Sequence, residues 1–213
     1  MMVSIIPQLK NIGKSATLQI NEGSSDLEKK GRKVYRFGFG QSPFPVPEKI
    51  VEVLKRNAHR KDYLSIQGLP ELRQAIATHL NKKTKNTFSK ENVLVTPGSK
   101  EAMYLMHVVF DGEIILPSSS WVSYAPQAEL ANNKTHWLQT SYENNWFPTA
   151  QALEKKIKSI KSNKILLILN SPNNPSGTIC NNFKELAQVA RENKIIILSD
   201  EIYTDITFNN RYE

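Results

Sequence analysis

Two short apolar runs, at residues 165–169 and 195–198, place the strongest constraint on what this chain can fold into. Each run is shorter than a usual helix and has no polar face, so each predicts a strand buried on both sides. Strands of that kind belong to parallel sheets, which helices cover on both faces. Polar residues follow at once: Asn170 after the first run, and Ser199 with Asp200 after the second.

The second half of the chain alternates between strand and helix. We predict strands at residues 92–96, 113–116, 135–139, 164–169 and 195–199, with helices at 99–110, 121–131, 149–160 and 183–192. Upstream we predict helices at 15–30, 47–57 and 70–80 and a short strand at 34–39. Five strands joined by helical crossovers predict an α/β fold with a mostly parallel, doubly wound sheet. The loops at the carboxyl ends of its strands are expected to hold the functional site.

The composition is that of an ordinary globular chain of 213 residues. The net charge is +8, but the basic residues are scattered, so a lysine-rich surface explains the charge and no nucleic-acid partner is expected. The apolar runs are too short to span a bilayer and no signal peptide is evident, so we expect a cytoplasmic protein without a membrane partner. With Cys180 as the only cysteine, no disulfide framework or metal site is expected.

Three strand ends carry unusual chemistry, and the first is Val-Thr-Pro-Gly-Ser-Lys at residues 95–100. It joins a strand to a helix through a glycine turn. Backbone N–H groups of Ser99 and Lys100 would be free at the helix start, where the helix dipole also favours an anion. Glycine lets the backbone approach a phosphate closely. The pattern is compatible with a phosphate site, although such turns also serve as ordinary helix caps.

The other two strand ends carry amides and an acid. In Asn-Ser-Pro-Asn-Asn-Pro-Ser-Gly, residues 170–177, two prolines stiffen a loop that holds Asn173 and Asn174. Such a loop can present an amide to a ligand oxygen; a tight turn closed by local amide bonds is the alternative. In Ser-Asp-Glu-Ile-Tyr, residues 199–203, Asp200 ends a buried strand, where an unpaired carboxylate is costly. A protonated pyridine nitrogen would supply the cation that Asp200 needs.

These motifs together resemble the class I/II aminotransferases, enzymes of fold type I that use pyridoxal 5′-phosphate. The resemblance includes Trp-Val-Ser-Tyr at residues 121–124 and Tyr63 ahead of Gly-Leu-Pro-Glu-Leu-Arg at 68–73. The motifs occur in the family's order and cover roughly residues 34–204. The asparagine loop and the acid–tyrosine strand end are specific as a pair, whereas either alone would only be suggestive.

The resemblance implies a role for each matching residue. Backbone amides of Ser99 and Lys100 would hold the cofactor phosphate, and Trp121 would stack on the pyridine ring. Asp200 would pair with the ring nitrogen and keep the ring protonated, so that it can accept electrons.

Four further matches complete the implied site. Asn174 and Tyr203 would hydrogen-bond the 3′ oxygen of the ring. Tyr63 matches a tyrosine that reaches the phosphate in the other subunit of a homodimer. Gly40 matches a glycine whose backbone contacts the substrate carboxylate. The implied reaction moves an amino group from an amino acid to a 2-oxo acid.

The family's organisation implies an N-terminal arm with part of a small domain at residues 1–46, and the first, incomplete part of the large cofactor-binding domain at 47–213. The family's Schiff-base lysine and its carboxylate-binding arginine lie well downstream of the acid–tyrosine strand end, beyond these 213 residues. Lys90 has a similar local sequence, Thr-Phe-Ser-Lys, but precedes the phosphate turn and is expected to be a solvated residue. We therefore expect a truncated fragment without a catalytic residue, inactive alone, with an exposed apolar patch or an uncovered strand edge.

Other functions fit the same residues. A non-catalytic binding or regulatory module with an aminotransferase-like fold would not need the lysine. A lyase or synthase of the same cofactor family would share the same loops. A dinucleotide-binding protein is disfavoured, because the glycines at 38 and 40 lack the third glycine of that pattern and lead into prolines instead of a helix.

Overall fold

A computed structural model describes residues 4, 6–10, 12, 13, 15–38, 40, 42 and 44–208. The chain divides into two compact units, one of residues 13–96 and the other of residues 1–12 and 97–213. We call them the helical unit and the sheet unit, and each name covers only the described residues within those limits. Among all the described residues, no helix has both the length and the apolar character that a membrane crossing requires.

The sheet unit is built on four strands that all run parallel. They are β1 (Glu113–Pro117), β2 (Thr135–Leu138), β3 (Ile165–Asn170) and β4 (Ile196–Asp200). Their spatial order is β2-β1-β3-β4, so β3 is central and β4 lies at an edge. The predicted α/β class with a parallel sheet is confirmed.

Helices cover both faces of this sheet. They are α4 (Ser99–Val109), α5 (Tyr124–Leu130), α6 (Ala150–Ser159) and α7 (Phe183–Glu192). Successive residues of a strand point to opposite faces. Accordingly Leu166 and Ile168 of β3 join a core with α4 and α5, whereas Leu167 and Leu169 join a core with α6 and α7. This arrangement is the doubly wound architecture that the sequence predicts.

Strand β4 is exposed although its sequence is as apolar as that of β3. All six residues of β3 are buried, but Ile196 of β4 is 48% exposed and Ile197 and Leu198 are only partly buried. The cause is the position of β4: it pairs with β3 on one side, and no described residue forms a strand on the other. The expectation of an uncovered strand edge is confirmed.

The helical unit contains α1 (Ala16–Lys29), α2 (Glu48–Asn57) and α3 (Pro70–Lys83). Pro70 occupies the first turn of α3, where its missing N–H costs no helical hydrogen bond. Among the described residues of this unit only Arg73 and Ala77 are buried. The Arg73 guanidinium donates to the carbonyl oxygens of Val93 (2.8 Å) and Lys90 (2.7 Å), which ties α3 to the segment that leads out of the unit.

Two predicted strands do not form. Residues 92–96 are extended but irregular after a single 3₁₀ turn at Lys90–Asn92, and residues 34–38 are also irregular, with Phe39 outside the described residues. A strand needs a partner along its length. In the first segment the Val95 N–H donates to the Gln67 carbonyl (3.0 Å), but no ladder of such bonds forms among the described residues. Lys90 lies in the turn with its side chain half exposed, as expected of a solvated residue.

Candidate active site

The carboxyl ends of β3 and β4 form one structure, held by Asn170. The two strands pair in register up to Asn170 and Asp200, their last residues. The buried Asn170 side chain donates to the Asp200 carbonyl (2.9 Å) and accepts the N–H of Asn174 (2.6 Å). One amide therefore fixes the asparagine loop to the end of the neighbouring strand.

The Asp200 carboxylate is buried and accepts a hydrogen bond at each oxygen. The Tyr124 hydroxyl donates to Oδ2 (2.6 Å), and the Ile202 N–H approaches Oδ1 (3.3 Å). Burial, reinforced by the hydrogen bond to Asp200, raises the pKa of Tyr124. The phenol consequently stays protonated and is the donor. These two donors offset part of the desolvation cost of the carboxylate.

The two asparagines of the loop point in different directions. Asn174 donates through Nδ2 to the Tyr203 hydroxyl (3.2 Å) and faces the same cavity as Asp200. Asn173 donates instead to the Ser119 carbonyl (3.1 Å) and accepts the Ser176 N–H (3.2 Å). Asn173 therefore shapes the loop, whereas Asn174 is available to a ligand.

Trp121 and Lys100 lie next to each other beside this cavity. The Trp121 ring meets Tyr124 edge-to-face at 5.5 Å, a favoured aromatic geometry. The Lys100 ammonium lies 5.4 Å from the centre of the Trp121 ring, within cation–π range. Ser99 begins α4 directly after Gly98, whose φ of 87° favours glycine, and no side chain caps the helix start. The first turn of α4 can thus offer backbone donors to an anion.

Two adjoining cavities lie at these strand ends. The smaller has a volume of about 100 Å³ and a polar and aromatic lining that includes Ser99, Trp121, Tyr124, Asn174, Asp200 and Tyr203. The larger, of about 380 Å³, shares Ser99, Asp200 and Ile202 with it and extends over Met103, Met106 and Leu198. Ligand pockets commonly measure roughly 300–1,000 Å³, so the polar cavity is small by itself but opens beside a space of that size. Among the described residues no three acidic, histidine or cysteine side chains group in a way that could hold a metal ion.

The sequence matches the family described as aminotransferase class I and II over residues 32–212. The chain belongs to this family. It is 31% identical to the aspartate aminotransferase of Thermotoga maritima over 212 residues, covering 96% of this chain and 55% of that enzyme. It is 34% identical to the aspartate aminotransferase of Musicola paradisiaca over 215 residues, covering 97% of this chain and 53% of that enzyme.

Solved aminotransferase structures show the same fold. The aspartate aminotransferase of Thermus thermophilus with maleate superposes with a TM-score of 0.87 at 27% identity, covering 98% of this chain and 56% of that one. The Thermotoga maritima enzyme superposes with a TM-score of 0.86 at 28% identity, covering 98% and 57%. This chain therefore spans about half the length of the relatives it matches.

The structure brings together most of the residues that the aminotransferase resemblance singles out. Ser99, Trp121, Asn174, Asp200 and Tyr203 line one cavity. Lys100 follows Ser99 in α4 and turns its ammonium toward Trp121.

Gly40 and Tyr63 lie in the helical unit. Both are exposed, Tyr63 completely. The roles that the family resemblance gives them stay predictions.

Two residues that line the polar cavity escape sequence reasoning. Tyr124 is part of the quoted Trp-Val-Ser-Tyr motif but receives no role there, and Asn170 is read only as the residue that ends a strand. The signal for Tyr124 is its spacing from Trp121, because residues three apart at a helical turn can share a face. For Asn170 the signal is its position: a polar residue that ends a fully buried strand needs a partner within the protein.

Proposed function

We propose that this chain provides the cofactor-binding part of a pyridoxal-phosphate-dependent aminotransferase. Enzymes of the family use that cofactor to move an amino group from an amino acid to a 2-oxo acid. The observation that carries the proposal is the buried Asp200 carboxylate, which faces the same cavity as Trp121, Asn174 and Tyr203. No described residue forms an ion pair with this buried carboxylate, which has two hydrogen-bond donors; a positively charged group is therefore favoured beside it, and a pyridinium nitrogen would be such a group.

The other lining residues fit the remaining parts of the cofactor. Ser99 and Lys100 in the first turn of α4 would bind the phosphate through backbone N–H groups. The flat face of Trp121 suits the aromatic ring, a contact worth about 0.5–1.5 kcal/mol beyond the area it buries. The Asn174 amide and the Tyr203 hydroxyl, which already contact each other, would donate to the 3′ oxygen. The polar groups of the cavity thus match the polar groups of the cofactor.

When bound, pyridoxal phosphate supplies an electron-poor ring that accepts electrons from the α-carbon of the substrate. The role of this chain would be to bind and orient that ring and to tune its electrostatics. Asp200 would hold a proton on the ring nitrogen, and Asn174 with Tyr203 would fix the ring against rotation. The preformed loop, held by Asn170, keeps these groups in place without ordering cost on binding.

We further propose that catalysis needs polypeptide additional to these 213 residues, and that the assembled enzyme is a homodimer. No lysine follows Lys194 in the sequence, whereas the family's Schiff-base lysine lies downstream of the acid–tyrosine strand end. The chain spans only about half of its relatives, which supports the need for a complementary part. The complete exposure of Tyr63 is compatible with a contact to the cofactor phosphate of a second subunit.

Binding of 4′-deoxypyridoxine 5′-phosphate tests the cofactor site. This probe has the ring and the phosphate but no carbonyl, so it needs no lysine. We expect saturable binding that quenches tryptophan fluorescence, weakened about tenfold to a hundredfold in Asp200→Asn, because one charge-assisted hydrogen bond is worth about 1.5–3 kcal/mol. The matched control is Asp111→Asn, since Asp111 is an exposed acid of the same unit, paired only with Lys164. No saturable binding, or equal loss in both variants, would contradict the proposal.

A non-catalytic binding module is the second candidate function, because the residues that line the cavity could bind a ring and a phosphate without a covalent bond to either. Borohydride treatment after incubation with pyridoxal phosphate, followed by mass mapping, shows whether a lysine of this chain attaches the cofactor. Stable label at one lysine supports a usable attachment site in this chain. Reversible binding without a specific label fits both the module and a cofactor-binding part that relies on a lysine outside these 213 residues, so only a specific label counts against the module.

A further inference from the structure

Tyr124 contacts two of the groups that would surround the cofactor ring. Its hydroxyl donates to Oδ2 of Asp200 at 2.6 Å, and its ring packs edge-to-face on Trp121. We propose that Tyr124 is a positioning residue that acts through Asp200 and limits how tightly this carboxylate holds a proton on the ring nitrogen of a bound pyridine ligand. The inference rests on the proposed function, because it requires such a ligand to bind beside Asp200.

The physical basis is the sharing of one negative charge. A carboxylate that accepts a short hydrogen bond from a phenol gives part of its charge to that bond. Less charge then faces the ring nitrogen, and the nitrogen releases its proton more readily than it would beside an unshared carboxylate. The Ile202 N–H adds a second, longer contact at Oδ1. The hydrogen bond from Tyr124 (2.6 Å) is shorter than the one from the Ile202 N–H (3.3 Å), so Tyr124 is the stronger of the two donors.

The surroundings let Tyr124 act in this way over a wide pH range. Its side chain is buried, and burial raises its pKa, so the phenol remains a donor at neutral and moderately alkaline pH. Titratable side chains of the surrounding elements include Lys100 from α4 and Glu201 and Tyr203 after β4. Lys100 faces Trp121, and Glu201 accepts from the Ser199 hydroxyl, so neither makes the contact to Oδ2.

The test is a pH titration of bound 4′-deoxypyridoxine 5′-phosphate, followed by the absorbance of its ring. In Tyr124→Phe the apparent pKa of the bound ring nitrogen is expected to rise by about one unit, the order of magnitude of one charge-assisted hydrogen bond. Phenylalanine keeps the ring that packs on Trp121, so the variant is expected to fold, which its unfolding curve verifies. Tyr142→Phe is the control, since Tyr142 is an exposed tyrosine outside the cavity, and it should leave the titration unchanged.

A double-mutant cycle distinguishes action through Asp200 from a general effect on the pocket. If Tyr124 acts through Asp200, Tyr124→Phe leaves the titration of the ring unchanged when Asp200 is already asparagine. An unchanged titration in the single Tyr124→Phe variant, or an equal shift in both backgrounds, would overturn the inference while leaving the proposed function intact. Failure of the unaltered chain to bind the probe would overturn both.

Discussion

At the scale of single residues, the site depends on buried polar side chains that satisfy more than one neighbour. Asn170 is an example, since its amide serves both the Asn174 N–H and the Asp200 carbonyl. Replacing it with alanine leaves the partly buried Asn174 N–H without that partner. Because an unsatisfied buried donor costs about 1–3 kcal/mol, we expect Asn170→Ala to lower the free energy of unfolding by that amount in urea.

The control for this prediction is Asn144→Ala. Asn144 is exposed, and its side chain makes only a long contact of 3.4 Å to the Ser141 hydroxyl. Surface changes of this kind usually alter stability by less than about 0.5 kcal/mol. Equal stability of the Asn170 and Asn144 variants would show that the loop does not depend on the amide bridge.

His107 makes a second prediction at this scale, one about pH. The side chain is buried in α4, and burial lowers its pKa below the ordinary value. The unfolded chain therefore takes up a proton first as the pH falls, so the folded state loses stability from about pH 6.5 down through the folded pKa. We expect His107→Gln to reduce the difference in unfolding free energy between pH 8 and pH 5.5.

His79→Gln is the matched comparison, since His79 is an exposed histidine in α3. The same pH difference should persist in this variant. If both variants, or neither, flatten the pH dependence, burial of His107 is not its cause.

What the sequence can predict about the site follows from chemistry that is local in the chain. Asp200 and Asn174 are predictable because the first ends a strand and the second lies in the loop after a strand, and apolar composition fixes where both strands end. Tyr124 gains its role from a contact to a residue 76 positions away, which no local pattern encodes. Asn173 is as conspicuous in the sequence as Asn174, yet only the folded loop separates their functions.

At the scale of elements, the distinction between local pattern and distant contact separates the predicted strands that form from those that do not. Strands β1 and β3 have neighbours on both sides, so composition and structure agree. Residues 92–96 have a strand-like composition, but no described segment pairs along them, so they stay irregular. Strand formation depends on a partner, whereas the boundaries of α1 and α7 follow from local signals and are predicted closely.

The free edge of β4 leads to a prediction about self-association. An uncovered, apolar edge strand can pair with another chain, and a charge placed on it opposes such pairing. We expect Ile196→Lys, at a position 48% exposed, to reduce concentration-dependent association measured by light scattering. Tyr142→Lys places the same charge on an exposed site away from β4 and should leave association unchanged. Equal association of Ile196→Lys and the unaltered chain would show that this edge is not the contact.

At the scale of the whole molecule, the two units differ in how much they bury. The sheet unit contains two hydrophobic cores, one on each face of the sheet. The helical unit buries only Arg73 and Ala77 among its described residues, and α2 buries none, with Ile50, Val53 and Leu54 exposed. The free energy of local unfolding rises with the number of buried apolar contacts, so the two units should unfold locally at different free energies.

Hydrogen–deuterium exchange of the unaltered chain measures this difference directly. We expect the amides of β1 and β3 to exchange slowest and those of α2 to exchange at least about a hundredfold faster, because α2 has no core contact to hold its hydrogen bonds closed. Adding 4′-deoxypyridoxine 5′-phosphate should protect residues 170–178 and 200–203 and leave α2 unchanged. Protection of α2 equal to that of β3 would contradict the expectation.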